Sequence, residues 1–314
     1  MQFSRLLSFT QSLIDLTALS GSKQIHRIAF AALILGALCI AFAPIFVRLS
    51  ELPPTATAFH RMLLALPLFG FLVIKEKRKP ERLFSTISRQ QLRWLILSGF
   101  LFAADLAVWH WSITYTSVAN ATLLGNFAPI FVTTVAWLFL KERMTARFIL
   151  AMVLALAGAA LLMRASLDFG PSRLFGDILG IITAIFYSGY IVAVKVLRRS
   201  MSTPTLMGYS TLITCIVLFV FTIMAGESFI PLSLSGWLIL VALAWISQFS
   251  GQGLIAYALA HLPASFSSVS LLIQPVAAAI LAWIILDEAL TWWQGLGGLV
   301  VIAGIALARK ATVE

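Results

Sequence analysis

The stretch PIFVTTVAWLFLKERMTARFILAMVLALAGAALLMR (residues 129–164) aligns without a gap with PVAAAILAWIILDEALTWWQGLGGLVVIAGIALARK (residues 275–310), at an offset of 146 residues. Apolar sequences share Leu and Ala by chance, but they do not readily share Pro, Trp, Glu, Thr and Gly in one register. Those informative identities are Pro129/Pro275, Trp137/Trp283, Glu142/Glu288, Thr145/Thr291 and Gly158/Gly304. The chain therefore contains an internal repeat.

The composition is that of an integral membrane protein. The chain is 61% hydrophobic and 11% charged, with a mean hydropathy of +0.99, whereas soluble domains carry about 25% charged residues. Apolar runs of about 20 residues, the length that crosses a bilayer, recur along the chain. We place them at residues 28–48, 54–74, 94–114, 118–140, 147–163, 175–195, 205–225, 237–258, 264–286 and 292–308. The predicted fold is an all-α membrane protein with ten transmembrane helices.

The net charge of +10 follows from topology and does not indicate a nucleic-acid partner. With the N-terminus placed in the cytoplasm, 18 of the 22 Lys and Arg residues lie in or next to cytoplasmic segments. This asymmetry obeys the positive-inside rule and places both termini in the cytoplasm. We therefore predict a multi-pass protein of the bacterial cytoplasmic (inner) membrane. An organellar location stays open.

The repeat is predicted to be inverted. Five spans is an odd number, so the second set of five enters the membrane from the opposite side. The loop KERMTAR (141–147) is basic and predicted cytoplasmic, while its repeat mate DEALTWW (287–293) has no Lys or Arg and carries two Trp residues suited to the outer interface. The predicted organisation is a cytoplasmic N-terminal segment (1–27), a first repeat (28–164), an external linker (165–174) and a second repeat (175–310).

A second match relates the third and eighth spans. The letters WLIL begin at Trp94 and again at Trp237, an offset of 143 residues. At this offset Asp105 falls on Gln248 and Trp109 falls on Gln252. Asp105 and Trp109 have i, i+4 spacing on the third span, and Gln248 and Gln252 have the same spacing on the eighth. Each of these two pairs therefore shares one helix face. These four side chains are predicted to line the walls of a shared central cavity.

These residues resemble the drug/metabolite transporter superfamily and its ten-span, two-repeat EamA-type members. The pattern that carries the resemblance is Pro129…Glu142-x-x-Thr145…Gly158, Pro275…Glu288-x-x-Thr291…Gly304, and Arg61 within FHRML. The resemblance covers residues 28–310. It implies two five-helix halves around a central cavity, alternating access, and transport of amino acids, dyes or other metabolites, with export more common than uptake. It does not identify the substrate.

Three ionisable residues inside predicted spans are candidates for coupling: Asp105, Arg61 and His110. Such residues cost about 2.5–3.5 kcal/mol each on insertion scales and are accordingly rare. Asp105 lies near the middle of the third span. It either takes part in protonation or substrate contact, or forms a structural ion pair with Arg61 or Arg48. His110 is a candidate proton relay, and protons are a candidate coupling ion.

The candidate substrate-binding residues are aromatic or uncharged. Trp109 either stacks on substrate or serves in packing. Asn126 and Gln274 lie near Pro129 and Pro275, where they either satisfy the carbonyl that proline frees or face substrate. Tyr187, Gln248 and Gln252 complete the predicted site. A cavity with few charges fits neutral, zwitterionic or amphipathic solutes, such as an amino-acid-like zwitterion.

Glu142 and Glu288 each stand three residues before a Thr that is placed to cap the next helix. Local hydrogen bonding at a tight turn is the favoured interpretation of both acids, and gating is the alternative.

The sequence predicts a secondary transporter of a small organic solute, driven by protons or by exchange, with no cofactor, no metal site and no enzymatic activity. Cys39 and Cys215 are isolated within spans, and no acidic cluster indicates bound magnesium. The expected partners are membrane lipid and the small-molecule substrate. An intramembrane enzyme, or an uptake carrier of the same fold, remains as an alternative. The oligomeric state and the order of the first 27 residues stay open.

Overall fold

A computed structural model describes residues 24–77, 87–116, 118–164, 173–287 and 289–313. Within them, ten helices are long and apolar enough to cross a membrane, and no strand occurs. They are α1 (Gln24–Leu49), α2 (Pro54–Glu76), α3 (Arg89–Tyr115), α4 (Asn120–Leu140), α5 (Ala146–Met163), α6 (Leu174–Leu197), α7 (Thr203–Met224), α8 (Leu234–Leu259), α9 (Ala264–Ile285) and α10 (Trp292–Thr312).

The ten predicted spans are confirmed, each agreeing with its helix to within a few residues. Because the number of spans is even, both ends of the chain lie on the same side of the helix bundle, here called the terminal face. The other side, where α1, α3 and α5 end, is the far face. Residues 1–23, most of the predicted linker, and Glu288 lie outside the described residues.

Four of the helices are interrupted, each just before a proline. In α2 the break separates Pro54–Leu63 from Leu66–Lys77, and in α4 the second segment begins at Ala128. Proline lacks an N–H and clashes with the preceding turn, so the helical ladder opens there. The prolines that follow the four breaks are Pro44, Pro67, Pro129 and Pro275. A different irregularity, a π-helical segment (Leu243–Gln252), lies within α8.

Small residues bring helices into close contact. On α5, an added Cβ at Gly158 would lie 2.6 Å from the backbone nitrogen of Val301 on α10. On α1, an added Cβ at Gly36 would lie 2.8 Å from the carbonyl oxygen of Gly251 on α8. Such contacts are typical of helix packing in membranes, where small side chains let backbones approach.

Hydroxyl and carboxylate side chains cap the helix starts. Thr145 accepts a hydrogen bond from the amide of Phe148 at 3.1 Å, and Thr291 accepts one from Gln294 at 3.3 Å, as their positions predict. The carboxylate of Glu142, in contrast, bonds to another helix. Its carboxylate accepts hydrogen bonds from the first residues of α9, among them Ser265. The local interpretation of Glu142 is therefore wrong, because the tight turn points its side chain towards another helix.

Candidate functional site

A cavity lies where three of the four helix breaks meet, those of α1, α4 and α9. Its volume is about 180 Å³, and α1, α2, α3, α4, α6, α8 and α9 contribute to its lining. An outer chamber of about 520 Å³ adjoins it towards the far face, where Arg48 and Gln294 lie. Trp109 and His110 line both chambers, so the two chambers are neighbours.

Arg61 supplies the positive charge of the inner cavity. It lies at the end of the first segment of α2 and is only 7% exposed. Its Nε–H donates to the side-chain oxygen of Gln248 at 3.1 Å, and its guanidinium lies over the ring of Phe102 at 5.9 Å. The bond from Nε to Gln248 fixes the guanidinium beside the inner cavity, which Arg61 lines.

Asp105 supplies the negative charge. It lies on α3, is 7% exposed and lines the same inner cavity. Arg61 and Asp105 attract each other electrostatically. The hydrogen-bond acceptor of the Arg61 Nε is Gln248 and not Asp105. The structural ion pair between Asp105 and Arg61 or Arg48 stays a prediction, and Gln248 on α8 is an additional partner of the Arg61 side chain.

Phe102, Trp109 and Tyr187 are the aromatic side chains that line the inner cavity, and Tyr190 is buried against them. The rings of Phe102 and Tyr190 stack at 4.4 Å with an interplanar angle of 17°, and Tyr187 lies 6.0 Å from Tyr190. The hydroxyl of Tyr190 donates to Gln252 at 3.5 Å. Trp109 packs against His110 with ring centroids 5.1 Å apart, and it lines the passage between the chambers.

The four predicted amides do not share one role. Asn126, Gln252 and Gln274 line the inner cavity. Gln248 is fully buried behind Arg61 and is not part of the lining. The side-chain nitrogens of Asn126 and Gln274 have no hydrogen-bond partner among the described residues. They therefore do not satisfy the carbonyls freed by proline, and both donors remain unpaired beside the cavity.

The repeat-motif residues divide between the cavity and the helix ends. Pro129 and Pro275 line the cavity, while Glu142, Thr145 and Thr291 lie at turns outside it. Glu288 is outside the described residues.

The sequence reasoning missed Phe102 and Pro44, which both line the inner cavity. A proline in mid-span was a usable signal for Pro44, of the same kind as for Pro129. For Phe102 no signal exists, since a Phe in an apolar span usually packs against its neighbours.

The arrangement can bind a small solute that carries opposite charges. A cation, Arg61, and an anion, Asp105, line one cavity whose other lining residues are mainly apolar and aromatic, with a few amides and hydroxyls. Charges that are not paired within the protein can bind complementary charges on a ligand.

Comparison with known proteins agrees with this geometry. The profile of the EamA-like transporter family matches residues 27–164 and, a second time, residues 174–309. The fold is similar to that of a solved structure at 18% identity, with a TM-score of 0.74, covering 94% of this chain and 98% of the other.

Curated relatives are described as transporters. An uncharacterized transporter of Archaeoglobus fulgidus is 29% identical, covering 85% of this chain and 91% of its own. The pseudopaline exporter CntI of Pseudomonas aeruginosa is 26% identical, covering 71% and 77%. The uncharacterized inner membrane transporter YhbE of Escherichia coli is 25% identical, covering 90% and 91%.

Proposed function

Because the chain belongs to the EamA-like transporter family and is a multi-pass membrane transporter, we propose that it exports a small amino-acid-like zwitterion across the bacterial cytoplasmic membrane. Alternating access moves the solute, and the central cavity is its binding site. The terminal face is cytoplasmic in this proposal, so the cavity is open to the outside.

The observation that carries the substrate class is the separation of charge in the inner cavity. Arg61 presents its terminal nitrogens to a carboxylate, and Asp105 accepts from an ammonium group. Both side chains are buried and line one space. Buried charges are costly unless they are paired, so a solute that pairs with both is bound in preference to a neutral one.

Neighbouring groups support binding of the rest of the solute. The unpaired donors of Asn126 and Gln274 suit carbonyl, carboxyl or hydroxyl oxygens. Trp109 and Tyr187 provide aromatic surface for an apolar side chain. The volume of about 180 Å³ restricts the inner cavity to small molecules.

The positive-inside rule supports the orientation of the protein, and one relative supports the direction of transport. The basic loops are on the terminal face, which the rule assigns to the cytoplasm. The relative CntI is named as an exporter of pseudopaline. The inverted repeat supports alternating access, since two halves of opposite orientation adopt equivalent conformations that face opposite sides.

Coupling is assigned to Asp105. A carboxylate in a cavity that opens to one side at a time exchanges its proton with that side only. Proton exchange at Asp105, or exchange of one solute for another, supplies the driving force. We assign a proton relay between Asp105 and the outer chamber to His110, and its position on the lining of both chambers supports this role.

The test compares small molecules in the medium and in the cytosol of cells that express the chain, the Asp105→Asn variant, or neither. We expect one or more amino-acid-like compounds to accumulate in the medium with the intact chain only. The same compounds rising in the cytosol would instead establish uptake. Normal transport by Asp105→Asn across a range of pH would rule out the coupling role, and transport of uncharged compounds alone would rule out the zwitterion.

A further inference from the structure

A carboxylate from α4 holds the start of α9 at the terminal face. Glu142 follows α4, and its Oε1 accepts from the amide of Ala264 at 2.8 Å. Its Oε2 accepts from the amide of Ser265 at 3.1 Å and from the Ser265 hydroxyl at 2.5 Å. The first amides of a helix have no partner within it, so Glu142 satisfies donors that would otherwise be unpaired.

Cations from the end of α6 hold the end of α8. The Nζ of Lys195 donates to the carbonyl oxygens of Leu259 at 2.9 Å and Leu262 at 2.6 Å. The Nε of Arg198 donates to the carbonyl oxygen of Ala256 at 3.0 Å. These are among the last carbonyls of α8 and its turn, which lack partners within the helix.

The turn between α8 and α9 is thus held from both of its ends, and we name Glu142, Lys195 and Arg198 the turn clamp. The charges match the helix dipoles, with cations at the C-terminus of α8 and an anion at the N-terminus of α9. Lys195 and Glu142 also attract each other across the turn. The clamp links α4, α6 and the turn between α8 and α9 by hydrogen bonds that involve charged groups.

The turn clamp lies between the inner cavity and the terminal face. Ser268, one turn into α9, lines the inner cavity, while Ala264 and Ser265 do not. The first segment of α9 packs against the second segment of α4, so these two helices close the space between the cavity and the terminal face. In the proposed transport cycle, α9 moves away from α4 to open the cavity to that face.

We propose that Glu142 is a gating residue, whose three hydrogen bonds to Ala264 and Ser265 keep the terminal face closed while the cavity is open at the far face. The inference rests on the proposed alternating access. Opening to the terminal face requires these bonds to break, and their loss in a variant shifts the population towards the state that is open there.

Glu142→Gln tests the gate. An amide has one oxygen, so at least one of the N–H donors of α9 loses its acceptor, and the charge is removed. Reporter thiols are Ser268→Cys and Ala278→Cys, each in a protein whose Cys39 and Cys215 are replaced. Ser268 is buried at the base of the inner cavity, and Ala278 is half-buried and lines both chambers. A membrane-impermeant maleimide is added to either face of sealed vesicles.

We expect Glu142→Gln to raise labelling of Ser268→Cys from the terminal face by about tenfold, the effect of losing one charged hydrogen bond. Labelling of Ala278→Cys from the far face falls in the same protein. Ser265→Ala removes one of the three bonds and leaves the charge in place. Ser265→Ala is expected to raise labelling of Ser268→Cys from the terminal face by a smaller factor, about threefold. It replaces Glu142→Gln as the test if Glu142→Gln does not fold.

Glu51→Gln is the matched control. Glu51 also accepts from two backbone amides and a serine hydroxyl, those of Leu232 and Ser233, but it lies at the far face. Its loss is not expected to raise labelling from the terminal face. Equal effects of Glu51→Gln and Glu142→Gln would indicate general loosening and would overturn the gate.

Unchanged labelling in both Glu142→Gln and Ser265→Ala would also overturn it. The labelling needs no substrate, so it is independent of the export assay. Unchanged labelling together with normal export would refute the gate and leave the proposed function intact. Altered labelling in a chain that exports nothing would support the gate and contradict the proposed export of a zwitterion.

Discussion

Gly158 on α5 lies against the backbone of Val301 on α10, where an added Cβ would approach the Val301 nitrogen to 2.6 Å. The contact recurs with the roles exchanged, because an added Cβ at Gly304 would approach the nitrogen of Ala155 to 2.7 Å. The offset of 146 residues relates Gly158 to Gly304 and Ala155 to Val301. The two contacts are therefore equivalent, as expected if a pseudo-twofold axis passes between α5 and α10.

This packing predicts that Gly158→Val destabilises the protein. The extra carbons meet backbone atoms that cannot move aside, which costs about 1–3 kcal/mol of the free energy of unfolding. Thermal unfolding in detergent would show a lower midpoint. Gly70→Val is the control, because it also replaces a helical glycine but meets nothing within 4 Å. Equal midpoints for the two variants would contradict the close contact.

The positions of the helices could be predicted from the sequence, but the contacts between side chains of different helices could not. Ten apolar spans follow from the cost of exposing polar groups to lipid, and Thr145 caps α5 as its position predicts. The partner of Glu142, however, is 123 residues away at Ser265. Gln248 was expected on the cavity wall, yet it lies behind Arg61. Spacing along a helix shows which side chains share a face, but not how far the helix is rotated against its neighbours.

The hydrogen bond between Arg61 and Gln248 predicts that Gln248 positions the guanidinium. Gln248→Leu leaves Nε without its acceptor, so the terminal nitrogens lose their fixed direction. We expect the KM for the transported solute to rise about tenfold. Gln248→Glu places a carboxylate beside Arg61. The carboxylate neutralises the guanidinium by forming an ion pair with it, so we expect this variant to abolish transport.

Ser247→Ala is the control for these variants. Ser247 is the fully buried neighbour of Gln248, and it donates to the carbonyl oxygen of Cys39 at 3.1 Å. Its loss should change KM by less than about threefold. A KM for Gln248→Leu within that same range would show that Gln248 only fills space.

The loop carboxylate Glu51 predicts part of the acid sensitivity of the protein. Hydrogen bonds from the Ser233 hydroxyl and from the amides of Ser233 and Leu232 hold the pKa of Glu51 below its ordinary value of 4.5. Because the pKa is lowered on folding, the stabilisation is present above the ordinary pKa and is lost as pH falls through the lower folded-state value. Glu51→Gln should therefore unfold at a lower temperature than the wild type at neutral pH.

That difference in unfolding temperature should shrink as the pH falls from about 6 to about 3. Ser233→Ala, which removes the largest cause of the lowered pKa, should move the loss of stability towards higher pH. A difference between the wild type and Glu51→Gln that stays constant over this range would show that titration of Glu51 is not linked to unfolding.

The unpaired donor of Gln274 predicts opposite effects on stability and transport. A buried N–H without a partner costs about 1–3 kcal/mol, and Met replaces Gln with similar shape and no such donor. Gln274→Met should therefore raise the thermal unfolding midpoint and lower transport, since the donor is kept for the solute. Gln252→Met is the matched comparison, because Gln252 accepts from the hydroxyl of Tyr190, which would be left unpaired. It should lower both the midpoint and transport. If Gln274→Met unfolds at or below the wild-type midpoint and transports normally, its nitrogen has a partner in the resting protein and no role in binding.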